Sequence, residues 1–262
     1  YKRQIVHIIR NGWWNELKEA LDETKLDEAR MIKGTVTCDG KGIANVVVTD
    51  GQRCVTTDKN GIYHLPNLGN TRFVYITTPA GYLTDCEQTI PRFYQEIDLN
   101  KTNEYNFRLK KNPKDDSKHL FVLEADVQAG LKEHWDLYAP IVDDYKQLID
   151  QHSDRDVFGL NCGDIFWDTP ATFFPPYIDK AKKLDIPIYR AIGNHDIDCN
   201  GATHETSYRT FEGYFGPTHY SFNKGKAHYI VINNNFYVGR EYFYIGYVDE
   251  TTFKWLEEDL SY

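Results

Sequence analysis

The sequence predicts two folds in series: a small antiparallel β-sandwich, then an α/β domain built on a largely buried sheet. Three observations predict it. Between residues 34 and 110, short runs rich in valine, threonine and aromatics alternate with turn signals. From residue 118 onward, apolar runs of strand length alternate with helical segments. The polar, proline-bearing stretch KNPKDDSK at residues 111–118 separates the two regions and reads as a linker.

The elements follow in order. Residues 13–30, WWNELKEALDETKLDEAR, place Trp13, Trp14, Leu17, Ala20 and Leu21 at helical spacing, so residues 1–30 read as a helical N-terminal extension. The only methionine, Met31, stands where this pattern stops, and it is equally a candidate natural start. The runs GTVTC, IANVVVTD, GQRCVTTD, IYHLPNL, TRFVYITT, EIDL and EYNFRLK then make about seven short strands, assigned to residues 31–112. Asp58, Lys59, Asn60 and Gly61 read as a turn needing a residue tolerant of positive φ, since the alternating oxygen ligands and closing Glu of a calcium loop are missing.

In residues 118–262, HLFVLEAD, VFGLNCGD, IPIYRAIGNHD and AHYIVINNN read as strands, with LYAPIVDDYKQLIDQH and PPYIDKAKKLD as helices. Functional groups in such sheets gather where strands end. Three strands end in metal-binding residue types: Asp126 with Gln128, Asp164 with Asp168, and Asn194 with His195 and Asp196. A lone Asp after a strand is commonly a helix N-cap. Three such clusters in succession point instead to one shared patch.

Composition limits the function classes. The chain has 262 residues, with 30 Lys plus Arg against 39 Asp plus Glu and a formal charge of −9. That balance argues against nucleic-acid binding by bulk charge, which needs a surplus of cations to displace counterions. No apolar stretch approaches the ~20 residues needed to cross a bilayer, and no signal-peptide pattern is visible. Five cysteines, Cys38, Cys54, Cys86, Cys162 and Cys199, form no CxxC pair, which excludes a zinc ribbon and leaves disulfide pairing open. The sequence sets no oligomeric state.

Two resemblances arise from these residues. The segment GTVTCDGKGIANVVVTDGQRCVTTDKNGIYHLPNL resembles the immunoglobulin-like or carboxypeptidase-regulatory-like modules attached to extracytoplasmic enzymes. It implies an immunoglobulin-like sandwich and a periplasmic or cell-envelope location. The series ADVQ, GDIFWD, GNHD resembles the calcineurin-like metallophosphoesterases, whose signature runs D-x-H, G-D-x-x-D, G-N-H-D/E and then two further histidine-bearing motifs. It implies an α/β/β/α sandwich, incomplete here, that hydrolyses a phosphodiester or phosphomonoester with a metal-activated water.

Carried over residue by residue, the second resemblance implies two divalent metal ions, Mn, Fe or Zn, held by Asp126, Gln128, Asp164 and Asn194. Asp164 would bridge the pair. His195 would contact the phosphate and protonate the leaving group, with Asp196 holding its imidazole. Gln128 replaces the usual histidine, which removes a nitrogen donor and favours a harder ion. Asp168 departs from the common spacing and reads as an outer residue. His204 reads as a solvent-facing loop residue, His228 as structural within a strand, and His134 and His219 as uncommitted. Phe166, Trp167, Phe173, Phe174 and Tyr177 are candidates both for a substrate cleft and for core.

The later histidine motifs are missing, and the final segment VDETTFKWLEEDLSY resembles the helix that precedes the first of them. The expectation is therefore a chain cut within its catalytic domain, inactive or nearly so by itself. The rival expectation is a surface glycan- or protein-binding module in which the sandwich acts and the α/β part is degenerate.

Overall fold

The computed structural model describes residues 31–67, 71–167, 170–198 and 200–262. The predicted helix over residues 13–30, Asp168 and Cys199 lie outside them.

Among the described residues the first region contains eleven strands: β1 (Met31–Cys38), β2 (Lys41–Gly42), β3 (Val47–Thr49), β4 (Cys54–Thr56), β5 (Ile62–Pro66), β6 (Phe73–Ile76), β7 (Tyr82–Leu83), β8 (Cys86–Glu87), β9 (Ile90–Pro91), β10 (Tyr94–Glu96) and β11 (Phe107–Lys111). One sheet runs β2-β1-β11-β7 with β5 paired to β1, and a second runs β10-β6-β3-β4. Alternation along β1 buries Ile32, Gly34, Val36 and Cys38, as a strand with one core face requires. Ile32 and Val36 meet Tyr63 and Leu65 of β5 and Val48, Val74 and Ile76 of the other sheet in one core. The sandwich is not wholly antiparallel as expected, because the C-terminal half of β1 pairs parallel with β11. The turn at Asp58–Gly61 forms as expected, with Asp58 Oδ1 accepting from the Asn60 and Ile62 amides and Gly61 at φ +77°.

The second region opens with β12 (Leu120–Glu124), α1 (His134–Gln151), β13 (Val157–Asn161), α2 (Pro170–Ala181) and β14 (Ile188–Arg190). The three strands form a parallel sheet in the order β12-β13-β14. Each parallel step needs a crossover of a dozen or more residues, which the two helices supply. Beyond lie α3 (Arg209–Phe215), the hairpins β15 (Tyr220–Lys224) with β16 (Ala227–Val231) and β17 (Asn235–Gly239) with β18 (Phe243–Gly246), and α4 (Glu250–Asp259). The segment AHYIVINNN therefore does not extend the parallel sheet. Only Gly225 and Lys226 separate β15 from β16, and two residues permit an antiparallel return but no crossover. The expected four-layer sandwich is represented among the described residues by one three-stranded sheet and separate hairpins.

Period-two alternation sends neighbouring residues of the parallel sheet to opposite faces. Val157 and Ile188 join the helices in one core, whereas Phe158 and Tyr189 join Tyr220 and Phe222 in the core of the first region. The Tyr189 and Phe222 rings stack at 3.6 Å and 7°, and Phe158 packs edge-on against both. Hydrogen bonds continue the junction: Ile188 N to Thr89 O at 2.8 Å, Asn223 N to Thr78 O at 2.9 Å, and Ser221 Oγ with Thr77 Oγ1 at 2.8 Å. Arg72 pairs with Glu212 at 2.9 Å across the same boundary. The stretch read as a linker is docked too, since buried Asp116 accepts from the Gly81 amide. The two regions share a core instead of hanging on a tether.

Candidate functional site

The site begins where β12 and β13 end. Their parallel pairing continues past the strands: Cys162 N donates to Glu124 O, Asp126 N to Gly163 O and Gln128 N to Asp164 O, at 2.8, 3.2 and 2.9 Å. This zipper sets the residues after each strand side by side. Asp126, Gln128 and Asp164 all sit in left-handed backbone, at φ +53°, +44° and +53°. Non-glycine residues rarely adopt that region, and where they do the surroundings must hold them there. As a result the Gln128 carboxamide lies between two carboxylates, its Nε2 3.4 Å from Asp126 Oδ1 and 3.4 Å from Asp164 Oδ2.

The loop after β14 closes on this pair. Gly163, at φ +94°, and Gly193 touch so tightly that a Cβ on Gly163 would lie 2.4 Å from Gly193 N, and one on Gly193 2.0 Å from Asp164 Oδ1. His195 N donates to Asp164 Oδ1 at 3.1 Å. Asn194, between Gly193 and His195, is therefore carried to the edge of the same patch. The structure thus gathers Asp126, Gln128, Asp164 and the Asn194–His195 segment.

Asp196 has another occupation than the one expected. Its carboxylate does not serve the imidazole: Oδ1 accepts from Ile165 N and Oδ2 from Gly193 N, both at 2.9 Å, in a fully buried position. It ties the 163–165 loop to the 193–196 loop. Burial pushes its carboxyl up to about 7, opposed by the backbone amides of Gly193, Ile165 and Phe166. The His195 ring instead stacks on Trp167, at 4.2 Å and 23°. Trp167 is half exposed, whereas Phe166, Phe174 and Tyr177 are fully buried, so most of the described aromatic cluster is core.

Three further histidines of the second region have identifiable partners. His204 is not solvent-facing, because its ring stacks on Phe236 at 4.2 Å and its Nδ1 accepts from Tyr237 N at 3.2 Å. Desolvation holds its pKa below the ordinary value, with Asp249 acting against it. His228 is structural as expected, with Nε2 2.8 Å from buried Asp259. His134 Nδ1 accepts from Gly130 N.

Three roles were missed from the sequence: the Asp196 clamp, the stacking of Trp167 on His195, and Glu124, whose carboxylate receives Tyr138 Oη at 2.5 Å, Asn161 Nδ2 at 2.7 Å and Tyr177 Oη at 3.0 Å. A glutamate at the end of an apolar strand, two residues before Asp126, was the available signal.

Among the described residues, no group of three or more His, Cys, Asp or Glu side chains is arranged to hold a metal ion. The patch instead sets the carboxylates of Asp126 and Asp164 on either side of the Gln128 carboxamide, whose nitrogen faces both. All four described cysteines are free thiols, and no helix among the described residues is long and apolar enough to cross a membrane.

Residues 30–112 match a family model described as the N terminal of calcineurin-like phosphoesterase. The match supports a calcineurin-like phosphoesterase family, and with it a hydrolase in general terms. No curated protein and no solved structure matches the chain.

Proposed function

We propose that this chain belongs to a metal-dependent phosphoesterase that hydrolyses a phosphodiester or phosphomonoester. The observation that carries the reading is the convergence of Asp126, Gln128 and Asp164 in strained backbone at the tips of two adjacent parallel strands, with the His195 amide on the Asp164 carboxylate. The family match of the first region is independent support.

In this reading Asp126, Gln128, Asp164 and Asn194 would hold divalent cations, Asp164 lying on the middle strand of the three. A half-turn of the Gln128 carboxamide exchanges its nitrogen for its oxygen, so the residue suits either a hydrogen-bonding or a liganding task. Bound divalent ions in such sites supply an activated water and charge stabilisation at phosphorus. His195, whose backbone amide binds Asp164 and whose ring stacks on Trp167, would contact phosphate and donate a proton to the leaving oxygen. Asp196 holds the loop that carries it.

Two carboxylates and two carboxamides would fill only part of two coordination shells, so low turnover is expected of this chain. The sandwich loops at Gly51, Thr78 and Thr89 face the second region, which disfavours a separate binding module. On the module resemblance we place the protein outside the cytoplasm.

The test is Mn2+ uptake, followed by electron paramagnetic resonance, together with hydrolysis of an aryl phosphodiester. Uptake by the wild type that is lost in Asp164→Ala supports the proposal. A wild type that takes up no Mn2+ sinks it, and rapid turnover by this chain contradicts the incomplete donor set.

A further inference from the structure

We infer that Asn161 and Glu124 form a positioning pair that sets the spacing between the strand tips bearing Asp126 and Asp164. The inference rests on the metal-binding reading of that patch and concerns residues outside its donor set.

Asn161 is the last residue of β13 and is 2% exposed. A carboxamide can donate and accept at once, and here it does both. Its Oδ1 accepts from Gly163 N at 2.9 Å, the residue that immediately precedes Asp164. Its Nδ2 donates to Glu124 Oε2 at 2.7 Å and reaches Tyr177 Oη at 3.4 Å. Glu124 is the last residue of β12 and stands two residues before Asp126. One side chain thus joins the approach to Asp126 with the approach to Asp164.

The pair is itself fixed from the helix side. Tyr138 of α1 donates to Glu124 Oε1 and Tyr177 of α2 to Oε2. Burial raises both phenols well above their ordinary values, so they stay donors. Glu124 is half-buried and its carboxylate takes three donors, an arrangement that an apolar side chain would not reproduce. What the polar version adds is direction. With the Gly163 amide held by Asn161, the Gly163 carbonyl faces Asp126 N and the backbone turns Asp164 into its left-handed conformation. Outer hydrogen bonds of this kind orient ligands and typically matter by ~10- to 100-fold in metal affinity.

The experiment measures Mn2+ affinity by electron paramagnetic resonance on the full chain, alongside urea midpoints. Asn161→Leu and Glu124→Leu are each expected to weaken Mn2+ binding about tenfold or more. Glu124→Gln keeps an acceptor for Asn161 and is expected to stay within about threefold of wild type, a rescue that a change of charge alone would not give. The double variant Asn161→Leu with Glu124→Leu should bind no more weakly than the worse single, because the two act through one link. If Asn161→Leu does not fold, Asn161→Ser, which removes the reach to Glu124, takes its place. Wild-type affinity in Asn161→Leu or Asn161→Ser, or additive losses in the double variant, overturns the inference while leaving the metal reading intact. Absence of Mn2+ uptake by the wild type itself overturns the metal reading first.

Discussion

Replacing Gly163 with alanine tests whether the strand-tip loops meet as described. At φ +94° any side chain is strained, which costs ~1–2 kcal/mol. The new Cβ would also lie 2.4 Å from Gly193 N and 2.6 Å from Gly193 Cα, both backbone atoms that cannot swing aside. Ordinary contact begins near 3.4 Å, so the loops must part by about 1 Å, an overpacking cost of ~1–3 kcal/mol. The expected loss of stability is roughly 2–5 kcal/mol. Gly40→Ala is the matched control: Gly40 sits at φ +74° in the turn after β1, and nothing lies within 4 Å of its added Cβ. It should lose only the backbone share, ~1–2 kcal/mol. Urea denaturation gives both numbers, and the same proteins are tested for Mn2+ uptake, which should fall only in Gly163→Ala. Equal losses in the two variants, or unchanged uptake in Gly163→Ala, would refute the proposed contact between the loops.

Phe158→Ala should lower stability by ~3–5 kcal/mol, because a fully buried ring leaves a cavity in a core shared by both regions. Hydrogen exchange should then show β6 and β13 losing protection together, and an unaffected β6 would mean separate cores. His219, enclosed between Tyr75 and Trp255, donates Nε2–H to Gly51 O at 2.9 Å, and desolvation holds its pKa below the ordinary value. The unfolded chain therefore binds the extra proton between the depressed folded pKa and ~6.5, so stability contributed by neutral His219 is present above ~6.5 and lost as pH falls. Buried Asp50 and Glu212 carry raised values and oppose this slope, so the measurement is the difference between wild type and His219→Gln from pH 7.5 to 5.5. Wild type should lose stability relative to the variant on acidification; parallel curves would count against a buried neutral imidazole. Gln128→His adds a nitrogen donor between two carboxylates and should tighten Zn2+ uptake by about tenfold, read by competition with a chelating dye. Unchanged affinity would remove Gln128 from the donor set.

The sandwich strands and the parallel strands were legible because strand patterning is local: VFGL and IPIY are apolar runs of strand length before any partner is known. AHYIVINNN was legible as a strand but not as half of a hairpin, because a five-residue strand looks alike in a parallel and an antiparallel setting. Asp196 carries a motif position that suggested a partner for histidine, and only the approach of two distant loops showed backbone amides at its oxygens. His204 looked exposed because its neighbours Thr203, Glu205 and Thr206 are polar, while the Phe236 ring that covers it comes from β17.

The sequence by itself determined which residues end strands, and so put Asp126, Gln128, Asp164, Asn194 and His195 forward, because period and turn chemistry are written within a few residues. Tertiary structure alone decided that β12 and β13 are adjacent and in register, that three of those residues take left-handed backbone, and that one face of the parallel sheet joins the core of the first region. Those facts depend on which groups meet across tens to hundreds of residues. Contact of that range is fixed by the summed packing and hydrogen bonding of the whole chain, not by any segment of it.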